Sequence, residues 1–205
     1  MRRPQPVTAP VAVVKLGGSL AVSGLLRPWL RAVAAAGPVV LVPGGGPFAD
    51  AVRAAQGVMG FDDRAADAMA KLAMAQYGIA LAGLAEGLCV AASRAAIAEG
   101  LARGRVPVWT PLPQAADDAP ATWDVTSDSL ALWLARRLGA ARALLVKSRP
   151  PAGPRLAALV ADGLLDAAFP GFLAAFEGEV FVTGAEEVPD RLDPARLPGV
   201  RIEAG

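Results

Sequence analysis

The chain has no histidine and one cysteine, Cys89, in 205 residues. That excludes imidazole metal sites, Ser/His/Asp triads and Cys/His dyads, along with any internal disulfide or thiolate cluster. Net charge is equally scarce, because 20 basic and 19 acidic side chains leave only +1. No long-range field favours nucleic acid or an acidic membrane surface, so neither is expected as a partner, and a charged ligand must be met locally. A long unbroken apolar run is also missing. Residues 32–49 carry no charge, but Pro38, Pro43 and Pro47 together with Gly37, Gly44, Gly45 and Gly46 forbid a continuous helix there. The opening pair Arg2 and Arg3 precedes a stretch broken by prolines and stopped by Lys15, too short for a secretory leader. A cytoplasmic location is expected.

What is present is hydrophobic: 54% apolar against 19% charged residues, far from the composition of disordered chains. The length suits one domain over 1–205. Short β-rich runs alternate with longer Ala- and Leu-rich segments, which predicts a three-layer α/β/α sandwich around a mainly parallel sheet. Strands are expected at 11–14, 39–42, 88–91, 106–109, 143–146, 180–183 and 200–202. Helices are expected at 25–36, from 48, at 63–84 with Asp62 as N-cap and an interruption at Gly78, at 94–103, at 127–138 ending on Gly139, and at 164–176. Residues 110–122 read as a surface connection, and 148–155 as a loop rich in Pro and Gly.

Two predicted strands run into glycine clusters, KLGGS at 15–19 and PGGGP at 43–47. Ligands of open α/β sheets gather at the carboxyl ends of strands, so both clusters can face one crevice. Glycine lets backbone N–H groups approach phosphate oxygens, and a following helix N-terminus adds positive potential. A lone glycine pair after a strand is most often a tight turn; two, with a lysine beside the first, point to phosphoryl transfer. The chain has seventeen arginines but only three lysines, Lys15, Lys71 and Lys147, and two of these sit at predicted strand ends. Lysine is a compact point charge suited to a migrating phosphoryl group. Lys71, inside a helix, reads as a solvated face residue.

The third constellation is WDVTSDS at 123–129, on a loop-to-helix junction. Thr126 or Ser127 can cap the helix, with Asp128 complementing its dipole. Asp128 can also orient Lys15 and Lys147 by ion pairing, and Asp124 can meet a substrate cation.

Together these motifs resemble the amino-acid kinase family, whose members include acetylglutamate, aspartate, uridylate and isopentenyl phosphate kinases. PGGGPFAD, the helix at 65–78 and WDVTSDSLALWLA are most similar to the small kinases that phosphorylate [5-(aminomethyl)furan-3-yl]methyl phosphate to its diphosphate in methanofuran biosynthesis. The resemblance covers residues 11–148 and implies the amino-acid kinase fold, with an acceptor-binding half over about 1–110 and a shortened nucleotide-binding half over about 111–205. It implies ATP and Mg²⁺, a small phosphorylated substrate, and a homo-oligomer to which Trp133 can contribute apolar surface. Lys15 then acts on the transferred phosphoryl, Gly17, Gly18 and Ser19 cradle it, and Gly44, Gly45 and Gly46 hold the acceptor. Asp128 organises the lysines. Asp124 and Asp67 are expected to meet the substrate ammonium, and Trp123, Met69, Phe48 or Tyr77 to pack on its ring. No metal ligand is assigned to the protein. The chain departs from the family in having no lysine after Lys147. Either Lys147 supplies that charge, or Arg149 or Arg155 does, or catalysis is weakened. Acceptors such as isopentenyl phosphate or an acylamino acid, and a non-catalytic nucleotide or oxyanion binder, are the competing readings.

Overall fold

A computed structural model describes residues 11–113 and 115–203; Arg2 and Arg3, and Gln114 of the 110–122 connection, lie outside these. Seven strands form one sheet: β1 (Ala12–Leu16), β2 (Val39–Pro43), β3 (Leu88–Ala91), β4 (Val106–Trp109), β5 (Arg142–Lys147), β6 (Glu179–Gly184) and β7 (Val200–Arg201). Their order is β3-β4-β2-β1-β5-β6-β7, and every pairing is parallel except the edge pair β6–β7. The expected fold class is therefore the observed one. All of β1 and β2 and the centre of β5 are buried, as near-continuous apolar strands of a sheet covered on both faces must be.

The strands' period of two divides the core. Val13, Val40, Val42, Ala143 and Leu145 face one side, against α5 (Ser127–Leu138) and α7 (Phe169–Ala174). Ala12, Val14, Leu16, Val39, Leu41 and Val146 face the other, which holds α1 (Leu26–Ala34) and the later part of α3 (Asp63–Leu84). Lys15 shares its parity with Val13, and Lys147 with Leu145, so both lysines project toward the α5 side. Lys15 is in register with Leu145 on β5 and with Val42 on β2, which brings three strand tips to one level.

The remaining helices are α2 (Gly46–Met59), α4 (Arg94–Ala102) and α6 (Leu156–Ala161). The predicted bounds of α3, β3, β4 and α5 match the observed ones. Asp62 caps α3 by accepting from Ala65 N–H at 2.8 Å, and Gly139 ends α5 in the left-handed region at φ 66°. Two expectations need correction. Gly78 does not interrupt α3, because it is the point where the helix presses on the sheet: an added Cβ would lie 3.1–3.3 Å from Thr110, Pro43 and Val108. The helix expected over 164–176 shortens to α7, which begins beside Pro170, and α6 stands at a segment where no element was expected. No helix among the described residues is long and apolar enough to cross a membrane.

Candidate active site

The tips of β1 and β2 meet. A Cβ on Gly18 would fall on the backbone of Gly46, and one on Gly44 would fall on the backbone of Gly18, so glycine at both turns is a condition of their contact. Gly46 also adopts φ 53°, a left-handed backbone that a side chain would strain. These turns open a cavity of about 280 Å³ bordered by Lys15, Gly18, Ser19, Gly45, Gly46 and the start of α5. Gly45 and Gly46 stand at the N-terminus of α2, and Ser127 and Asp128 at that of α5, where amide N–H groups lack intrahelical acceptors and the helix dipole favours an anion.

Two of the glycines expected to hold phosphate stand apart from the cavity. Gly17 donates its N–H to Val146 O at 3.1 Å and Gly44 donates to Leu16 O at 2.9 Å, prolonging the sheet ladders. Neither borders the cavity, whereas Gly18, Ser19, Gly45 and Gly46 do.

At the base of the cavity one carboxylate holds two ammonium groups. Asp128, 2% exposed, has Oδ1 2.8 Å from Lys15 Nζ and accepts a 2.6 Å hydrogen bond at Oδ2 from Lys147 Nζ. Asp128 thus pairs with both ammonium groups, one at each carboxylate oxygen. Burial pushes the Asp128 carboxyl up, but Lys15 and Lys147 outweigh it and hold the group below the usual carboxylate range. Burial, reinforced by the neighbouring charge of Lys15 and opposed by Asp128, pushes Lys147 down to about 8. Lys147 is thus charged below that pH and neutral above it. If its charge serves the reaction, kcat/KM falls as pH rises through about 8. Lys147→Arg, which stays charged, should remove or displace that basic limb in a pH–rate profile.

Lys71 is the largest correction. It is 4% exposed rather than solvated, donates to Asp67 Oδ2 at 2.8 Å, and borders the same cavity as Lys15 and Lys147. All three lysines of the chain therefore stand at one site, against one arginine among the described residues, Arg53. Arg149 and Arg155, the alternative sources of positive charge, stand elsewhere: Arg149 pairs with Asp162 at 3.2 Å, and neither borders the cavity.

The outer wall comes from α2, the start of α3 and the segment before α5. Trp123 donates from Nε1 to Gln56 Oε1 at 2.7 Å, Gln56 donates to Asp63 Oδ1 at 3.0 Å, and the Arg53 guanidinium lies 4.4 Å from the Trp123 ring centre. Asp50, Asp63 and Asp67 supply carboxylates. Of the four residues expected to meet the substrate, Trp123 and Asp67 border the cavity, whereas Asp124 and Met69 do not. Asp124 is exposed, with its carbonyl accepting from Ala168 N–H at 3.1 Å. Met69 sits on the outward phase of α3, and Met74, five residues on, borders the cavity in its place. Neither Phe48 nor Tyr77 borders it; the Tyr77 ring instead underlies Gly46. Among the described residues no group of three or more acidic or cysteine side chains is placed to hold a metal ion.

Asp166 was not anticipated. Its carboxylate accepts from Thr126 N–H at 2.9 Å, Thr126 Oγ1 at 2.7 Å, Ser129 N–H at 3.1 Å and Ser129 Oγ at 2.5 Å, which pins the N-terminus of α5 and so the position of Asp128. Asp166→Ala should cost about 2–4 kcal/mol in denaturant unfolding, with Asp166→Asn losing less because one oxygen still accepts. Equal stability of the wild type and Asp166→Ala would refute this anchoring role. No sequence signal marked the residue, since it lies 37 positions beyond Ser129 in an ordinary GLLDAA stretch.

A mainly parallel sheet with helices on both faces, and with glycine turns and lysines bordering a cavity at its central strand tips, defines an α/β protein of the doubly wound kind. The amino acid kinase family model matches residues 10–150, and the chain belongs to that family. Phosphoryl transfer is the chemistry this membership supports. Solved structures with the same fold include uridylate kinase from Archaeoglobus fulgidus, at 17% identity and TM-score 0.65, covering 95% of this chain and 100% of that one. UMP kinase from Bacillus anthracis gives 15% identity and TM-score 0.66 over 95% and 96% of the two chains. Aspartate kinase from Synechocystis gives 17% and 0.64, covering 95% of this chain and 40% of that one. No curated protein matches the chain significantly.

Proposed function

We propose that the protein transfers the γ-phosphoryl group of ATP to the phosphate of a small, amine-bearing phosphate monoester. The acceptor we favour, on the resemblance of the motifs, is [5-(aminomethyl)furan-3-yl]methyl phosphate, giving its diphosphate. The observation that carries the reading is the triad Lys15–Asp128–Lys147, held by a buried carboxylate at the contact of two glycine turns. An acceptor phosphate oxygen attacks the γ-phosphorus in line, the bond to the β,γ-bridging oxygen breaks, and ADP leaves with that electron pair. The acceptor is already ionised, so no general base is needed, in keeping with a chain that has no histidine. Lys15 and Lys147 neutralise charge on the moving group, and the amides at Gly18, Ser19, Gly45 and Gly46 meet its oxygens. Mg²⁺, bound chiefly through ATP phosphates and water, would supply further charge neutralisation. Asp50, Asp63 and Asp67 offer partners for an ammonium, and Trp123 offers a face for a planar ring.

The test is a single-turnover assay with γ-labelled ATP and Mg²⁺, offering in parallel the furan monoester, isopentenyl phosphate and an acylamino acid. Label appearing in a diphosphate of the furan compound supports the full reading. Transfer to a carboxylate would sink the choice of acceptor. Nucleotide binding with no transfer to any acceptor would favour a non-catalytic binder, a reading that draws on the position of Arg149 and Arg155 outside the cavity.

A further inference from the structure

Asp128 accounts for Lys15 and Lys147, but Lys71 needs a reason of its own. It stands on a different wall, α3, and is held by a different carboxylate. Around it the inward phase of α3 is mostly apolar or small: Ala66, Ala73, Met74, Gly78 and Leu81. A buried ion pair is commonly no more stabilising than apolar residues of the same volume, so packing does not explain a lysine there. An ammonium has three donors, and among the described residues Asp67 engages one, while Nζ belongs to a side chain bordering the cavity. In a chain that uses arginine for almost every other cation, a lysine is retained at this point.

We infer that Lys71 is a specificity-determining residue that binds the acceptor's own phosphate, with Asp67 as the positioning residue that aims its ammonium. The inference rests on the reading of a phosphate acceptor given above. During transfer one oxygen of the acceptor phosphate becomes the bridge, and its remaining oxygens stay anionic. Lys15 and Lys147 serve the migrating group, and Lys71 holds those remaining oxygens from the α3 side. A point charge suits this task better than a guanidinium fork, because the phosphate changes its bonding while it is held.

The probe is inorganic phosphate, titrated calorimetrically into protein saturated with Mg²⁺ and the non-hydrolysable analogue adenylyl imidodiphosphate, which fills the position of the transferred group. Wild type should bind phosphate, and Lys71→Met should weaken that binding about tenfold to a hundredfold while the affinity for the analogue stays within about twofold. Lys71→Arg, which keeps the charge, should recover part of the loss. Lys71→Gln serves if the methionine variant does not fold. Unchanged phosphate affinity in Lys71→Met or Lys71→Gln overturns the assignment, as does the absence of phosphate binding to the loaded wild type. So does equal weakening of phosphate and analogue, which would place Lys71 on ATP. If the analogue itself does not bind, the ATP reading fails separately, and the same titration without nucleotide still decides whether Lys71 holds phosphate.

Discussion

Lys15→Met should lower single-turnover phosphoryl transfer about a thousandfold or more while leaving the protein folded. The magnitude follows from the loss of a preorganised charge aimed at the reacting group in a water-poor site. Persistence of the fold follows from three features. Methionine fills a similar volume, β1 keeps its ladders to β2 and β5, and Asp128 retains Lys147 at 2.6 Å, so no carboxylate is left unpaired. Thermal unfolding should change little beside the kinetic loss. Near-wild-type turnover in a folded variant would remove Lys15 from the reaction and, with it, the proposed mechanism.

Asp128→Asn should be the opposite kind of variant, one that harms stability as well as rate. The carboxylate is 2% exposed and is the shared counter-charge of two ammonium groups, each within 2.8 Å. Neutralising it leaves two like charges close together with little water, and breaking a buried pair from one side costs about 3–5 kcal/mol. The pH dependence has a definite sign. Lys147 already has a folded-state value near 8, below its ordinary 10.5, so the folded form carries fewer protons than the unfolded form between those values and stability gains as pH rises through that window. Loss of Asp128 removes the larger of the two carboxylate charges, its own and that of Asp166, that oppose this depression. The shortfall of Asp128→Asn against wild type should therefore shrink toward alkaline pH, as Lys147 gives up its proton. Chemical unfolding at neutral and at alkaline pH measures it. An Asp128→Asn protein as stable as wild type at neutral pH would show that the triad is not electrostatically coupled.

Much of this site could be read one-dimensionally. Lys15 before GGS, the PGGGP turn and the aspartate at the start of α5 are local patterns, and their meaning depends on strand parity and helix start signals that act over a few residues. Lys71 could not be read that way. With Asp67 four positions before it, it matches an ordinary solvated helix pair. The apolar pattern of α3 does not choose a face either, because Met69, Leu72 and Ile79 are exposed while Ala73, Met74 and Leu81 are buried. Trp123 was legible as a site residue, yet its neighbour Asp124 was not separable from it. One residue of extended chain reverses the direction of a side chain, and in a loop no periodicity records which way is inward.

The amino-acid sequence by itself determined the alternation of strands and helices, the two glycine turns and the pairing potential of Lys15, Asp128 and Lys147, because each rests on steric and capping preferences of short segments. The tertiary structure alone decided that Lys71 turns inward, that Asp124 and Met69 turn away, and that Asp166 anchors α5 from a distant stretch of chain. These outcomes depend on the rotation of α3 and on where a distant loop docks against the sheet. Burial energy summed over the whole core sets both, and no local run of residues encodes them.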